Sequence, residues 1–556
     1  MNKSRLYEKM SPWFVLALAS ALLYVFYTGL YCSDDARYLV GIQKIARGYP
    51  IDISFIAERR LAFLLPGAAF YSFFGTLDAA IIPYAACYIG LILMAWAMMR
   101  PYGAGTALIC ALLSTLTPIL YFYAGTLSPD LLSALLSAML LYCTVRWRSK
   151  LDSGSSGSSG SSGLLRAAAA SGWIAMCGIS VKESNEVVAI LPLAYFGLHL
   201  IRHIKSAILW RSVLAHLGGA IAFILIELVM FRIFSGQWHI GLENKASDHD
   251  FSKLIHVQGM YPGDRLWHLM GILDGTTLFI FSLSILATFY LALMAARKDD
   301  VAVVPEWIIY AAFFLWPLVY FTIGTSSLHE YMPPPMQARY YAPCVLPAAA
   351  LIALMLRSVA PRFEWTSRGI AALAVSYLII GVYLNYPDRG ESYWARLKES
   401  HLMAIEDARR LKPKWPIFSG GDSVNGDVGL CIRLLLGEPG FEEGRAPPSK
   451  LPSPPFFVIS FDEGSSSDQH SPMHDLIQQN VDRGRWRLDL AGYYYANKVG
   501  VYRWWQPRQS AVMSEFAHDR SSVKSAVRSK GPVPWAQKMM HADLYRVTAA
   551  SQDASD

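Results

Sequence analysis

The fold is decided first by residues 12–38, PWFVLALASALLYVFYTGLYCSDDARY, an apolar run that ends in two adjacent carboxylates. The apolar part, 12–31, is long enough to cross the hydrocarbon core of a bilayer as a helix. Asp34 and Asp35 are therefore predicted to lie at a membrane surface. A carboxylate pair there can accept a proton from a hydroxyl or hold a divalent cation. The alternative is a helix cap, since Asp is favoured where a helix begins.

The composition indicates a multi-pass membrane protein. Hydrophobic residues make up 54% of the chain and charged residues only 16%, and many apolar runs have the length of a transmembrane helix. These values exclude an ordinary soluble enzyme. The net charge of +7 does not indicate nucleic-acid binding, because the basic residues flank apolar runs and do not form one stripe.

The positions of Lys and Arg predict the orientation of the spans. Lys3, Arg5 and Lys9 precede the first run, which places the N-terminus in the cytoplasm and the carboxylate pair outside. Each inward crossing then ends in basic residues, as at Arg100. The pattern favours eleven spans, with the count between 164 and 201 left open. The predicted spans are 12–31, 77–99, 103–121, 127–147, 164–180, 187–201, 213–234, 276–296, 307–324, 341–356 and 369–386.

Three regions fall outside the pattern of spans, and the membrane domain as a whole is predicted to comprise residues 1–386. The Gly/Ser repeat at 153–163 is predicted to be a flexible cytoplasmic linker, and 237–274 a long extracytoplasmic loop. Residues 387–506 alternate helix-like and strand-like segments, which predicts a small extracytoplasmic α/β domain, and 507–556 is an unassigned tail. The predicted helices of that domain are 392–411 and 473–483, and its predicted strands are 416–419, 456–461, 486–491 and 499–504.

The predicted orientation brings acids and bases from several loops to the same outer surface. They are Glu58-Arg59-Arg60, Asp130, Lys182-Glu183, His329-Glu330 and Arg339-Tyr340. Ionisable groups at a membrane are costly unless they are paired or functional. Structural alternatives exist: Arg59 and Arg60 as snorkelling anchors, Asp130 as a helix cap. Lys182 and Glu183 could form an ion pair with only a structural role. The occurrence of acids and bases in all of these loops on one surface nevertheless favours a functional site.

Five short motifs follow one another along the chain. They are Asp34-Asp35-Ala36-Arg37-Tyr38 with Gly48-Tyr49-Pro50, Glu58-Arg59 with Leu64-Leu65-Pro66 and Phe73-Phe74-Gly75, Leu127-Ser128-Pro129-Asp130, Gly178-Ile179-Ser180-Val181-Lys182 with Leu191-Pro192, and Arg339-Tyr340-Tyr341-Ala342-Pro343 with Leu346-Pro347. Their order and sidedness resemble those of the GT-C glycosyltransferases, especially the aminoarabinose transferase and protein O-mannosyltransferase branch. The likeness covers residues 10–386.

This resemblance implies an all-α polytopic fold of the GT-C type and a lipid-linked sugar donor. Such enzymes pass a sugar from a polyprenyl phosphate to an acceptor on the extracytoplasmic face, usually with inversion at the anomeric carbon. The acceptor would be a lipid, a glycan or a protein. The protein would lie in a bacterial inner membrane. Asp34 would be the general base, with Asp35 orienting it or binding a cation. A divalent metal ion is left open, and no other cofactor is expected.

The resemblance also assigns residues to the donor phosphate, whose developing charge needs cations. They are Arg59, Lys182, Arg339 and Tyr340, and the supporting or metal-proximal acids are Glu58 and Asp130. Three positions depart from the family pattern. Asp35 stands where Glu is usual, and Arg59 where Lys is frequent. Glu183 replaces a Gly, and its carboxylate is expected to weaken the positive field of Lys182.

Two other classes of protein remain as alternatives. A transporter or flippase for a lipid-linked or anionic substrate would place its acids near the bilayer midplane, on broken helices, and often shows inverted repeats. Here the acids lie in predicted loops, and no internal repeat is visible. A membrane scaffold that displays the C-terminal domain is the second alternative, and it predicts that neutralising Asp34 changes nothing.

The predicted orientation can be tested at two glycines. Gly160 should be cytoplasmic and Gly420 extracytoplasmic, because an odd number of crossings separates them in the eleven-span arrangement. Reporter fusions or cysteine labelling at both positions would measure this. If both lie on one side of the membrane, the span count is wrong.

Overall fold

The computed structural model describes residues 3–27, 29, 34–54, 56–152, 158–240, 261–297, 306–325, 333–334, 336–360, 364–388, 402, 404–419, 454–460, 479–480, 482–483, 485–495 and 541–549. Most of them are helical. The helices are α1 (Lys3–Phe26), α2 (Asp34–Arg47), α3 (Ile56–Arg59), α4 (Leu61–Phe74), α5 (Ile82–Met99), α6 (Ala104–Leu116), α7 (Pro118–Ala124), α8 (Pro129–Asp152), α9 (Ser158–Val181), α10 (Glu186–Arg202), α11 (Ala207–Ser235), α12 (Pro262–Ile272), α13 (Gly275–Ala296), α14 (Trp307–Ile323), α15 (Ala342–Val359) and α16 (Glu364–Asp388).

The helices confirm a multi-pass membrane architecture. Within the described residues, seven are long and apolar enough to cross a membrane, and the bent pair α6–α7 would make an eighth. Shorter apolar helices include residues 11–26, 307–323 and 367–382. Each of the eleven predicted spans coincides with one of these helices, α6 and α7 together forming the third. The number of actual crossings remains a prediction.

The third predicted span, 103–121, is not one continuous helix, because it breaks at Thr117. The axes of α6 and α7 differ by 60° there. Thr117 is extended, with φ −78° and ψ 120°, and Pro118 opens α7. A residue before proline is driven out of the helical region, and proline donates no backbone hydrogen bond. Thr117 Oγ1 donates to Leu113 O (2.6 Å) and Tyr88 Oη to Thr115 O (2.7 Å), so side chains supply partners for these carbonyls.

The predicted linker 153–163 also differs from the structure, because α9 begins at Ser158. Helix therefore replaces the expected coil over 158–163, while 153–157 lie outside the described residues. Adding a residue to an existing helix is much easier than nucleating one, so a helix that starts in the apolar run can extend into a Gly/Ser stretch.

Helix α15 is the centre of the membrane domain. In its apolar window, 83% of the residues are buried, and it contacts α6, α8, α13 and α14. Its run Ala348-Ala349-Ala350 lets neighbouring backbones come close. Ser284 Oγ in α13, for example, donates to Ala348 O at 3.0 Å. The 3-10 helix Ala338–Tyr341 leads directly into α15, so the most buried helix anchors the predicted Arg339-Tyr340 motif.

Helices α9 and α11 pack through glycines. A Cβ atom at Gly172 would lie 1.8 Å from His216 O, and one at Gly219 would lie 2.0 Å from Ala169 O. The two backbones are therefore in direct contact, as is common where small residues face each other in membrane helices. Ser171 Oγ and His216 Nδ1 add a buried hydrogen bond of 2.8 Å across the same interface.

The chain divides into two compact units. The first comprises Met1–Phe26 and Pro50–Asn385, and the second comprises Tyr27–Tyr49 and Tyr386–Asp556. The sequence had placed all of 1–386 in one domain. In the structure, α2, which begins at Asp34, belongs to the second unit.

The second unit contains a four-stranded sheet in the order β1-β2-β4-β3, with β1 (Ile417–Ser419), β2 (Phe456–Ser460), β3 (Trp486–Tyr495) and β4 (His541–Ala549). β1 and β2 are parallel, and the other pairs are antiparallel. The first three strands coincide with predicted ones, whereas 499–504 lie outside the described residues. β4 comes from the predicted tail and separates β2 from β3. That this unit is an extracytoplasmic α/β domain remains a prediction.

The glycine contact between α9 and α11 can be tested by adding one methyl group. Gly172→Ala should lower the free energy of unfolding by about 1–3 kcal/mol, because the methyl group meets backbone atoms that can yield only if a helix shifts. Gly197→Ala in α10 is the matched control, since nothing lies within 4 Å of its Cβ position. Thermal unfolding in detergent would measure both. Equal stability of the two variants would contradict the contact.

Candidate functional site

Asp130 connects three segments of the first unit. It lies in the first turn of α8, and its side chain is only 1% exposed. Its carboxylate accepts hydrogen bonds from Lys182 Nζ and from Ser128 Oγ. Arg339 Nε lies 3.7 Å from Asp130 Oδ2. The structure thus brings together three residues that the sequence had assigned to one site, although their roles remain predictions.

Lys182 lies in a rigid turn. Its extended backbone (φ −158°, ψ 123°) separates α9 from the 3-10 helix Glu183–Asn185. The backbone N–H of Lys182 donates to Gly178 O (3.0 Å), and its carbonyl accepts from Asn185 N (2.9 Å). The Asn185 side chain donates to Gly178 O (2.7 Å) and accepts from Ser133 Oγ in α8 (2.5 Å). Buried hydrogen bonds from two helices therefore fix the position of Lys182.

Tyr340 supplies an aromatic face to the two cations. The Lys182 ammonium lies 3.8 Å from the centre of the Tyr340 ring, and the Arg339 guanidinium carbon lies 6.0 Å from it. Both distances are within the range of cation–π attraction. Arg339 Nε also donates to Gln337 Oε1 at 2.7 Å. The Arg339 side chain is 27% exposed and that of Lys182 only 7%, so Arg339 is the more accessible cation.

Burial makes Lys182 sensitive to pH near neutrality. The pKa of Lys182 is lowered to about 8, chiefly by burial; the Asp130 carboxylate opposes this shift, while the positive charges of Arg339 and Arg60 contribute to it. Lys182 is therefore mostly charged at pH 7 and loses its proton as the pH rises through 8.

Arg265, which the sequence analysis missed, holds the segment that leads to Arg339. It is fully buried, and its guanidinium donates to Thr322 O (2.7 Å), Phe321 O (3.1 Å) and Pro334 O (2.5 Å). These bonds satisfy carbonyls at the end of α14 and tie them to the loop that follows. No sequence signal separates this Arg from other loop arginines, because its role depends on a contact between distant segments.

The first loop contributes its own contacts. Arg59 donates to Ile53 O (2.6 Å) and Ser54 O (2.9 Å), and buried Glu58 accepts from the backbone N–H of Asp52 (2.6 Å). These predicted site residues therefore fasten their own loop. A phosphate-binding role for Arg59 and a supporting role for Glu58 remain predictions.

Glu183 forms an ion pair with Arg60. The sequence had assigned the adjacent residue, Arg59, to the donor phosphate. Arg60 Nη2 lies 2.7 Å from Glu183 Oε2, and Arg60 Nε lies 3.3 Å from Glu183 Oε1. The expectation that Glu183 would weaken the field of Lys182 did not include this partner. A guanidinium that grips both oxygens offsets the charge of that carboxylate.

The predicted catalytic pair opens α2 in the second unit. Asp34 is the first residue of that helix, but its side chain lies outside the described residues, and Asp35 is buried. His329 and Glu330 also lie outside them. In the part of the chain that is described, no three His, Cys, Asp or Glu side chains form a metal-ligand group. The base, the orienting acid and the metal ion therefore stay predictions.

A further buried acid, Glu227, went unnoticed because it lies inside an apolar run. It is in α11 and accepts a hydrogen bond from Ser180 Oγ, two residues before Lys182. The available signal was an ionisable residue within a transmembrane helix, which by itself indicates a functional or paired group.

No family profile and no curated protein matches this chain in sequence. Among solved structures, ArnT from Cupriavidus metallidurans in the apo state has a TM-score of 0.51 at 15% identity, and the same enzyme bound to undecaprenyl phosphate has 0.53 at 13%. Each match covers 87% of this chain and 97% of the other. The archaeal oligosaccharyltransferase AglB from Archaeoglobus fulgidus has a TM-score of 0.40 at 11% identity, over 78% of this chain and 64% of its own. The chain thus has the fold of these two ArnT structures, in agreement with the all-α polytopic fold that the resemblance of its motifs had implied.

Proposed function

We propose that this protein is a glycosyltransferase that moves a sugar from a polyprenyl phosphate to an acceptor on the extracytoplasmic face of a bacterial inner membrane. The observation that carries the proposal is the cluster of Lys182, Arg339 and Tyr340 around Asp130. The structure of ArnT with undecaprenyl phosphate supports a lipid phosphate as donor. The sugar is a hexose or pentose, and the acceptor a lipid, a glycan or a protein.

The cluster has the charge that a phosphate leaving group requires. Lys182 and Arg339 carry two positive charges against the one negative charge of Asp130, so the group has a net charge of +1. Fixed cations in a buried position stabilise negative charge that develops on a leaving oxygen. Arg339 is the more exposed cation, and its planar guanidinium is suited to two parallel hydrogen bonds with phosphate oxygens.

The proposed chemistry is a single displacement. The carboxylate of Asp34 takes the proton of an acceptor hydroxyl, whose oxygen attacks the anomeric carbon from the side opposite the phosphate. The bond between that carbon and the phosphate oxygen breaks, and its electron pair leaves with the polyprenyl phosphate. Asp35 orients Asp34. Attack from the side opposite the phosphate inverts the anomeric carbon.

The break in α6–α7 distinguishes this proposal from a transporter. Broken helices in transporters bring charged or backbone groups to an ion or substrate at the bilayer midplane. Residues 104–124 contain no Asp, Glu, Lys, Arg or His, and the carbonyls Leu113 O and Thr115 O accept side-chain hydrogen bonds. The ionisable cluster lies instead at the ends of α8 and α9.

The proposed base can be tested at Asp34. Asp34→Asn should leave expression and insertion unchanged and reduce sugar transfer to below about a hundredth of the parent rate, since general-base catalysis contributes roughly 10²- to 10⁴-fold. Transfer would be measured in membranes with a polyprenyl-phosphate sugar as donor.

Asp35→Asn is the companion variant. It should lower transfer less than Asp34→Asn if Asp35 only orients the base. A comparable loss, together with inhibition of the parent by a chelator, would assign a cation to Asp35. Full transfer by Asp34→Asn would contradict the catalytic assignment and leave this residue as a helix cap.

The phosphate clamp can be tested at Arg339. Arg339→Ala should raise the donor KM. Arg339→Lys should reverse only part of that rise, because Lys keeps the charge but lacks the planar guanidinium that can donate two parallel hydrogen bonds. Donor KM in the parent should also rise above pH 8, where Lys182 loses its proton. Arg339→Ala should move that rise to higher pH, since Arg339 lowers the pKa of Lys182. An unchanged donor KM in Arg339→Ala would exclude this residue from the clamp.

A further inference from the structure

The ion pair between Arg60 and Glu183 joins the first loop to the turn that carries Lys182. Arg60 is the residue between α3 and α4, with φ −84° and ψ 59°. Its guanidinium contacts both carboxylate oxygens of Glu183, at 2.7 and 3.3 Å. The side chains are only 12% and 24% exposed. A bidentate contact between largely buried groups fixes both position and orientation, which an exposed ion pair does not.

Glu183 directly follows Lys182 in the chain, so its charge matters for that ammonium group. Lys182 is already bonded to the carboxylate of Asp130. A second carboxylate without its own cation would compete for Lys182 and would further reduce the net positive charge offered to a phosphate. Because Arg60 neutralises Glu183, the net charge of +1 in the cluster is preserved.

We propose that Arg60 and Glu183 are a positioning pair for Lys182, in which Arg60 neutralises the Glu183 carboxylate and so keeps it from drawing the Lys182 ammonium away from the donor phosphate. This inference rests on the proposed function, because it assumes that Lys182 binds that phosphate. Neither residue of the pair touches the donor. The pair therefore acts on donor affinity through Lys182, and its effect depends on whether Glu183 carries a charge.

That dependence gives a test by double substitution. Arg60→Met leaves the charge of Glu183 unneutralised beside Lys182, so the donor KM should rise roughly tenfold while kcat changes little, a coupling typical of residues in one ion-pair network. Glu183→Gln removes the competing charge, and its donor KM should stay within about twofold of the parent by the same estimate. Arg60→Met combined with Glu183→Gln should recover most of the loss, and Arg60→Lys should be intermediate.

The measurements use the full-length protein in lipid nanodiscs. Donor KM and kcat report transfer, and binding of undecaprenyl phosphate provides a readout without turnover. Arg410→Met is the matched control, because Arg410 makes a 2.6 Å ion pair with Asp407 but is 74% exposed. It should leave KM and lipid-phosphate binding unchanged. If Arg60→Met does not insert, Arg60→Gln with and without Glu183→Gln makes the same comparison.

Recovery of donor KM and lipid-phosphate binding in the double variant supports the positioning pair. A double variant as weak as Arg60→Met overturns it, since Arg60 would then act on the donor directly. A normal KM in Arg60→Met overturns it as well. If the parent protein neither binds undecaprenyl phosphate nor transfers sugar, the proposed function fails, and the inference fails with it. If the parent is functional but the double variant is not rescued, only the inference fails.

Discussion

The buried carboxylate of Asp130 is the interaction on which the rest of the membrane unit's polar structure depends. It receives Lys182 from the turn after α9 and Arg339 from the segment before α15, while Ser128, the residue directly before α8, donates a further hydrogen bond. Two cations could not be placed this close in a largely buried position without a countercharge. Removing one partner of a buried ion pair typically costs about 3–5 kcal/mol. Asp130 therefore stabilises the approach of three chain segments that are distant in sequence.

The membrane explains why this approach is so tightly built. Backbone groups in a bilayer must find partners within the protein, and the turns at the ends of spans are where this is hardest. At Lys182 the partners come from Asn185 and Gly178, and before Arg339 they come from Arg265. Each of these bonds satisfies a carbonyl and also holds the backbone near a residue of the cluster. Stability and site geometry are thus provided by the same hydrogen bonds.

The sequence located the apolar helices well because hydropathy is a local property: each of the eleven predicted spans overlaps a helix or, for the third, the bent pair α6–α7. It was less successful where structure depends on contacts between distant segments. Strand β4 lies far along the chain from β2 and β3, and its pairing is not visible in its own residues. The break at Thr117 is a different case, since Pro118 was a local signal that an apolar run concealed.

The same distinction applies to the site. Charge and motif order identified Asp130, Lys182 and Arg339, and the structure brings these residues together. The choice between Arg59 and Arg60 could not be made from sequence, because the two are adjacent and only the path of the loop decides which one reaches Glu183. Arg265 and Glu227 likewise acquire partners only through tertiary packing.

Carboxylates in the proposed phosphate-binding cluster have opposing effects. They offset the repulsion between buried cations, but each one also lowers the attraction for an anion. In this protein the two effects are separated by exposure. The side chain of Asp130 is 1% exposed and that of Arg339 is 27% exposed, so the cation is the more accessible of the two groups. Glu183, at 24%, is the more exposed of the two carboxylates, and it is the one gripped on both oxygens by an arginine. The negative charge that would most repel a phosphate is therefore the one with the closest guanidinium contact.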